Sequence, residues 1–346
     1  MNVNELTREL IDIPSVTGDE QAIGNFLKAH LESLGYSVEM LEVAPDRFNV
    51  FATTQALPRV VLSTHMDTVP PHIESTEDDE KIYGRGACDA KGIIAAQINA
   101  AERLRADGVQ AIGLLFTVDE EEGSAGAKVA NSNAAAAANE YLINGEPTDN
   151  KLASATKGSL RLILRTKGRA AHSAYPERGD SAIEELLDIL DSIRKCSWPS
   201  DEFLGDTTCN IGVIRGGTRA NVVPEEAFAE LQLRLVTEVA PIRKLLEEAI
   251  AGRAEVGYLS EHEPVHLETI DGFEQCVVRF TTDIPYLSSW GRPLLLGPGS
   301  ILNAHTAHEF VEKRELAEAV SLYVRLVRAL LAREPQVRDV FAGVSR

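Results

Sequence analysis

Apolar positions along the chain follow two periods. Residues 4–12 and 20–34 carry them at helical spacing, the second stretch with Ile23, Phe26, Leu27, Leu31 and Leu34 on one stripe and Gly35 as its stop. Strand-like runs follow at 36–43 and 48–53. The next run, Val60-Val61-Leu62-Ser63-Thr64-His65, has too few polar positions for a half-exposed strand and reads as a buried one. A helix is predicted over about 91–106, a fully buried strand over 110–118, a short helix with the alanine run 134–138, and a strand over 141–144. Long buried strands alternating with helices predict an α/β architecture.

From about Lys157 the rhythm changes. A strand at 159–166 leads to an amphipathic helix at 180–193, with Ile183, Leu186, Leu187, Leu190 and Ile193 on one face. Strands at 208–214 and 227–235 follow, then a helix at 241–250 with Pro241 in its first turn, and a last strand at 255–259 or 265–267. The order βαββαβ describes a ferredoxin-like sandwich. Buried-strand character returns at 293–296, followed by Gly297-Pro298-Gly299-Ser300 and a long helix at 312–331 with Leu316, Val320, Tyr323, Val327 and Leu330 inward. Two domains are therefore predicted: residues 1–156 and 269–346 make one, and 157–268 are inserted into it. The tail after Pro335 reads as loose.

A length of 346 residues suits two domains. Acids outnumber bases by 53 to 34, for a formal charge of −19, which repels phosphate backbones and argues against a nucleic-acid partner. The first residues have neither a basic nor an apolar leader segment, and no run is long enough to span a membrane. Cys88, Cys196, Cys209 and Cys276 form no C-x-x-C pair and read as free thiols in a reducing cytoplasm.

Polar chemistry gathers where the buried strands stop. His65 and Asp67 stand at i and i+2, so they share a face at a strand end, and a histidine that binds a metal gives its other ring nitrogen to an acceptor such as Asp67. The glycine-rich stretch 84–92 has the look of a dinucleotide turn, but Asp89 stands where the third glycine is needed. The run Asp119-Glu120-Glu121-Glu122 ends the strand at 110–118, and Glu146 follows the strand at 141–144. Taken singly, these residues also suit a capped strand end, a helix cap and a solvated loop. Taken together with His305, so many acids would repel one another unless cations lay among them. Two imidazoles and three carboxylates suit a pair of borderline metals such as zinc, one carboxylate bridging, with a further acid left to take a proton from water. The adjacent Glu120 and Glu121 offer one acid for each job.

Five ordered stretches make the chain resemble the M20 co-catalytic metallopeptidases and deacylases, the group holding acetylornithine deacetylase, succinyl-diaminopimelate desuccinylase, aminoacylase and glutamate carboxypeptidase. They are Thr64-His65-Met66-Asp67-Thr68-Val69-Pro70, Gly84-Arg85-Gly86-Ala87-Cys88-Asp89-Ala90-Lys91-Gly92, Asp119-Glu120-Glu121-Glu122-Gly123-Ser124, Gly145-Glu146-Pro147-Thr148 and Ala304-His305-Thr306. The resemblance implies an α/β fold of two domains: a mixed-sheet catalytic domain like that of zinc aminopeptidases, and an inserted ferredoxin-like lid that makes a homodimer. It implies two divalent ions, zinc with cobalt or manganese as options, one held by His65, Asp89 and Glu146 and the other by Asp89, Glu121 and His305. Glu120 becomes the general base, and Asp67 orients His65.

Gly168-Arg169-Ala170-Ala171-His172-Ser173-Ala174 is similar to the family segment whose histidine reaches a partner subunit's site and polarises the scissile carbonyl. By residue type alone, His172 reads as a loop histidine with a local hydrogen bond, and Arg234 equally as half of an ion pair. By resemblance, Asn221 and Arg234 hold a substrate carboxylate, and Gly299 lies at the substrate. The segment between the lid and Gly297 is shorter than in many relatives, and Thr281-Thr282-Asp283 stands where a helix is common.

The expected activity is removal of the acyl group from an N-acyl amino acid such as acetylornithine or acetyl-lysine. A dipeptidase or carboxypeptidase of the same family is the alternative, and a non-catalytic metal- or amino-acid-binding protein is the alternative of another class. Serine hydrolysis lacks its G-x-S-x-G and single-zinc proteolysis its H-E-x-x-H.

Overall fold

The computed structural model describes residues 1–54 and 57–334; the segment from Pro335, expected to be loose, lies outside the described residues. Two compact units emerge. One comprises Met1–Ser154, Leu267–Cys276 and the chain from Thr282; the other comprises Ala155–His266 and Val277–Thr281. No described helix is long and apolar enough to cross a membrane.

The larger unit is built on a mixed sheet. Across it run Ser37–Ala44, Arg47–Thr53, Ile112–Thr117, Val60–His65, Tyr141–Asn144, Arg292–Leu295 and Leu152–Thr156. Val60–His65 lies parallel to both of its neighbours, with His65 opposite Thr117 and Ser63 opposite Asn144. Every residue of Val60–His65, Ile112–Thr117 and Tyr141–Asn144 is buried, as expected for strands covered on both faces. Because these three strands are parallel, the turns that follow them leave from one edge, where open α/β sheets place their sites.

Helix Lys91–Ala106 packs into the core, its alanines allowing close approach to the sheet. Helix Val3–Asp12 starts in a capping box between Asn2 and Glu5. Helix Lys313–Leu331 buries Leu316, Val320, Tyr323, Val327 and Leu330, the stripe predicted from spacing.

The smaller unit holds a four-stranded antiparallel sheet in the order Thr208–Gly216, Glu226–Leu235, Gly158–Lys167, Glu255–His262. Helices Ala182–Arg194 and Val239–Ile250 share one apolar cluster with it, through Leu160, Leu162, Ile189, Leu231 and Leu246 among others. This is the strand order of a ferredoxin-like sandwich.

Some elements differ from expectation. The sheet of the smaller unit takes Glu255–His262, whereas Val265–His266 pairs with Leu152–Thr156. Pro264 separates the two, and proline cannot donate to a ladder. The alanine run forms a 3-10 turn at Ala134–Ala138, preceded by an α-helix at Ala125–Ala130. A small sheet of Phe310–Glu312, Lys81–Tyr83 and Thr76–Glu77 was too short to show a period.

Candidate metal centre and active site

The parallel register brings together the groups that the sequence scatters. At the end of its strand, His65 is buried, and its Nε2 lies 2.9 Å from Asp89 Oδ1 and 4.0 Å from Glu146 Oε2. The other oxygen of Asp89 faces His305, with Oδ2 at 3.3 Å from His305 Nε2. His305 Nε2 also lies 3.0 Å from Glu121 Oε1. Asp89 thus stands between two imidazoles, one oxygen toward each. His65, Asp89 and Glu121 offer ligand atoms that all lie within 4.8 Å of one another.

Electrostatics in the cluster run in opposite directions. Burial opposes charge on His65, but its hydrogen bonds to Asp67 and Asp89 prevail and hold its pKa well above the usual value. Contacts with Asp89 and Glu121 raise His305 to about 10. Burial and neighbouring acids push Glu146 and Glu120 well above the usual carboxylate range. Glu146 Oε1 is buried and has no hydrogen-bond partner among the described residues. Orphaned buried oxygens, two imidazoles and carboxylates within a few ångströms are a donor set that fits divalent cations.

Asp67 meets His65 twice and reaches further. His65 Nδ1 lies 3.0 Å from the main-chain oxygen of Asp67 and 3.5 Å from its carboxylate. The carboxylate also accepts from Thr17 Oγ1 at 2.8 Å and from the main-chain N–H groups of Glu120 and Glu121 at 3.1 and 3.3 Å. Asp67 therefore ties the His65 strand to the acidic turn. That turn is held a second time by Arg47, which pairs with Asp119 at 2.9 Å and with buried Glu20 at 2.6 Å. No hydrogen bond to the Glu120 side chain occurs among the described residues, which leaves this acid unengaged.

A model of peptidase family M20/M25/M40 matches residues 61–329. The chain belongs to this family. An M20 domain-containing protein of Schizosaccharomyces pombe is 39% identical over 337 residues, covering 94% of this chain and 84% of that protein. A probable carboxypeptidase of Aspergillus niger is 35% identical over 370 residues, covering 94% and 89%. A tripeptidase structure from Staphylococcus aureus has the same fold, with a TM-score of 0.80 at 23% identity over 96% of this chain and 98% of that one. The M20 chain is a metal-dependent hydrolase of amide or peptide bonds.

Other expected residues of this M20 protein lie in the smaller unit. Exposed His172 sits in the short strand Ala171–His172, which pairs with Val222–Val223, and its Nδ1 accepts from the N–H of Ala174 at 3.1 Å. Ser173 N–H donates to the main-chain oxygen of Asn221 at 3.0 Å, so these two segments are neighbours. Arg234 is half-buried, has no ion pair among the described residues, and is lowered in pKa by burial. Gly299, in the larger unit, has φ +81, and a Cβ there would meet Cys88 Cβ at 2.6 Å.

Sequence reasoning named Asp283 only within a shortened segment and gave it no role. It is buried, its Oδ2 accepts from Thr117 Oγ1 at 2.8 Å, and its Oδ1 has no hydrogen-bond partner among the described residues. Burial pushes it up to about 6. The signal was an acid immediately before Ile284-Pro285-Tyr286, within an otherwise apolar turn. Arg85 and Glu309, described below, were missed as well.

Proposed function

We propose that this M20 protein is a two-metal hydrolase that cleaves the amide bond next to a free α-carboxylate, in a short peptide or an N-acyl amino acid. The observation that carries the reading is the placement of Asp89, with one oxygen directed at His65 and the other at His305. His65, Asp89 and Glu146 would hold one ion, and Asp89, Glu121 and His305 the other. Nitrogen and carboxylate donors suit zinc, with cobalt or manganese as replacements. When bound, such ions polarise a carbonyl and lower the pKa of water.

The remaining steps belong to the chain. Unengaged and raised in pKa by burial, Glu120 is suited to take a proton from water and deliver it to the leaving amine. The guanidinium of Arg234, in no ion pair among the described residues, suits bidentate capture of the substrate carboxylate. His172, with Nδ1 already accepting, keeps Nε2 for a carbonyl oxygen. A homodimer formed through the smaller unit and a cytoplasmic location belong to the same reading.

Peptides come before acetylated ornithine or lysine, because curated relatives are named probable carboxypeptidases. A purely binding role has no use for the free acid Glu120.

The test is amine release by zinc- or cobalt-loaded protein from dipeptides, tripeptides, N-acetylornithine, N-acetyl-lysine and N-succinyl-diaminopimelate, with a chelated control. Chelator-sensitive cleavage of peptides with a free carboxyl terminus, and none of their C-terminal amides, is expected. Turnover of acylated amino acids alone would move the assignment to a deacylase. Two bound metals with no turnover of any substrate would overturn hydrolysis.

A further inference from the structure

Behind the turn that carries Asp89 lies a buried carboxylate with no part in the chemistry above. Glu309 Oε1 accepts from the main-chain N–H groups of Gly86 at 3.0 Å, Cys88 at 3.2 Å and Asp89 at 3.2 Å. Its Oε2 accepts from Arg85 Nη1 at 2.7 Å. The same Arg85 Nη1 donates to the main-chain oxygen of Thr306 at 3.1 Å, one residue past His305. Gly84 N–H closes the junction on the main-chain oxygen of Glu309 at 3.1 Å. Arg85 and Glu309 are both buried.

A carboxylate out of water is strongly disfavoured unless paired and hydrogen-bonded, and here both conditions are met. The turn it holds is tight: Gly86 has φ +88, and a Cβ there would meet Lys91 Cδ at 2.8 Å. The turn has bonds of its own, from Ala87 N–H to the main-chain oxygen of Gly84 at 3.1 Å and from Lys91 N–H to that of Gly86 at 2.8 Å, but the N–H groups of Gly86, Cys88 and Asp89 point to an acceptor outside it. Glu309 supplies that acceptor from the chain segment that also carries His305.

We propose that Glu309, with Arg85, is a positioning residue that presets the shared ligand Asp89 against His65 and His305. The inference rests on reading Asp89 as the ligand common to both ions. It has a distinctive consequence: loosening Glu309 weakens both metal positions together, whereas loss of Glu146 weakens one.

Glu309→Gln keeps the size of the side chain but removes its charge. By titration of the metal-free protein, the affinity for both ions is expected to fall together, by about 10- to 100-fold, with a changed visible spectrum of the cobalt form. Glu309→Asp, which keeps the charge, should recover part of the loss. Val311→Ala, in the neighbouring apolar cluster, is the structural control. It should lower Tm without moving affinity or spectrum.

Wild-type affinity and spectrum in Glu309→Gln, or a loss no larger than in the control, would overturn the proposal. Should Glu309→Gln fail to fold, hydrogen exchange in the metal-free wild type decides. Protected amides at Gly86, Cys88 and Asp89 support the inference, and fast exchange there overturns it. A wild type that binds no metal would overturn the metal reading itself.

Discussion

Around Asp89, each candidate metal ligand is already engaged by its neighbours or enclosed by the fold, and the Glu120 side chain is left without a hydrogen bond among the described residues. His65 is pinned through both ring nitrogens, Asp67 anchors the acidic turn, and Arg47 holds that turn from the other side. In the smaller unit the opposite holds. His172 and Asn221 are exposed on a short strand and a turn, and Arg234 has no charged partner among the described residues. The contrast follows from the two tasks. A metal centre needs its donors set in advance, since ordering them at binding would weaken the ions. Recognition of a substrate needs donors still free to bind it.

Variants can break or sharpen this contrast. The largest effect is expected for Glu120→Gln, with kcat lower by about 10²- to 10⁴-fold and metal content unchanged, as read by steady-state kinetics and elemental analysis. Metal loss in that variant would make Glu120 a ligand instead. Next comes Arg234→Met, which removes a charged hydrogen-bonding pair of about 1.5–3 kcal/mol. It should raise KM about 10- to 100-fold, with metal affinity untouched. An unchanged KM would assign carboxylate recognition elsewhere.

A third effect depends on pH. In the metal-free protein His305 is raised to about 10, above its unfolded value of about 6.5. Its folded form binds the extra proton, so its stabilising contribution is full below about 6.5 and is lost as pH rises toward 10. Lys91, pushed down to about 7 by burial, has the opposite sign. The quantity to measure is therefore the Tm difference between wild type and His305→Asn, in which the lysine effect cancels. It should shrink from pH 6.5 to 10 and stay modest, because the His305 side chain is 48% exposed. A constant difference would remove the proton from His305.

The smallest effect is expected for Ile189→Val in the core of the smaller unit, about 0.5–1.5 kcal/mol by urea unfolding. Metal affinity should not follow. A parallel loss would tie the metal centre to the packing of that core.

Much of the fold was legible because its periods are strong. The stripe of Lys313–Leu331 and the buried run Val60–His65 each bury a whole face, and burial is what a hydrophobic period reports. Short strands such as Lys81–Tyr83 span too few residues to show a period, and their pairing is decided by distant partners. The candidate ligands were visible because several acids and two histidines gather at the ends of buried strands, where so many like charges would repel one another without cations; singly, each also suits a cap or a solvated loop.

Their supports were not visible. Glu309 and Asp283 look like ordinary acids in sequence, and only folding shows one receiving the N–H groups of a turn more than two hundred residues earlier and the other sealed beside Thr117. The chain order alone established an α/β protein with an inserted βαββαβ segment and a set of metal-binding residue types, because local period and residue chemistry are local properties. Only the tertiary structure decided which oxygen of Asp89 faces which histidine, that the Asp67 carboxylate serves the acidic turn, and that Glu309 braces Asp89, because these depend on register between strands and on contacts between segments far apart in the chain.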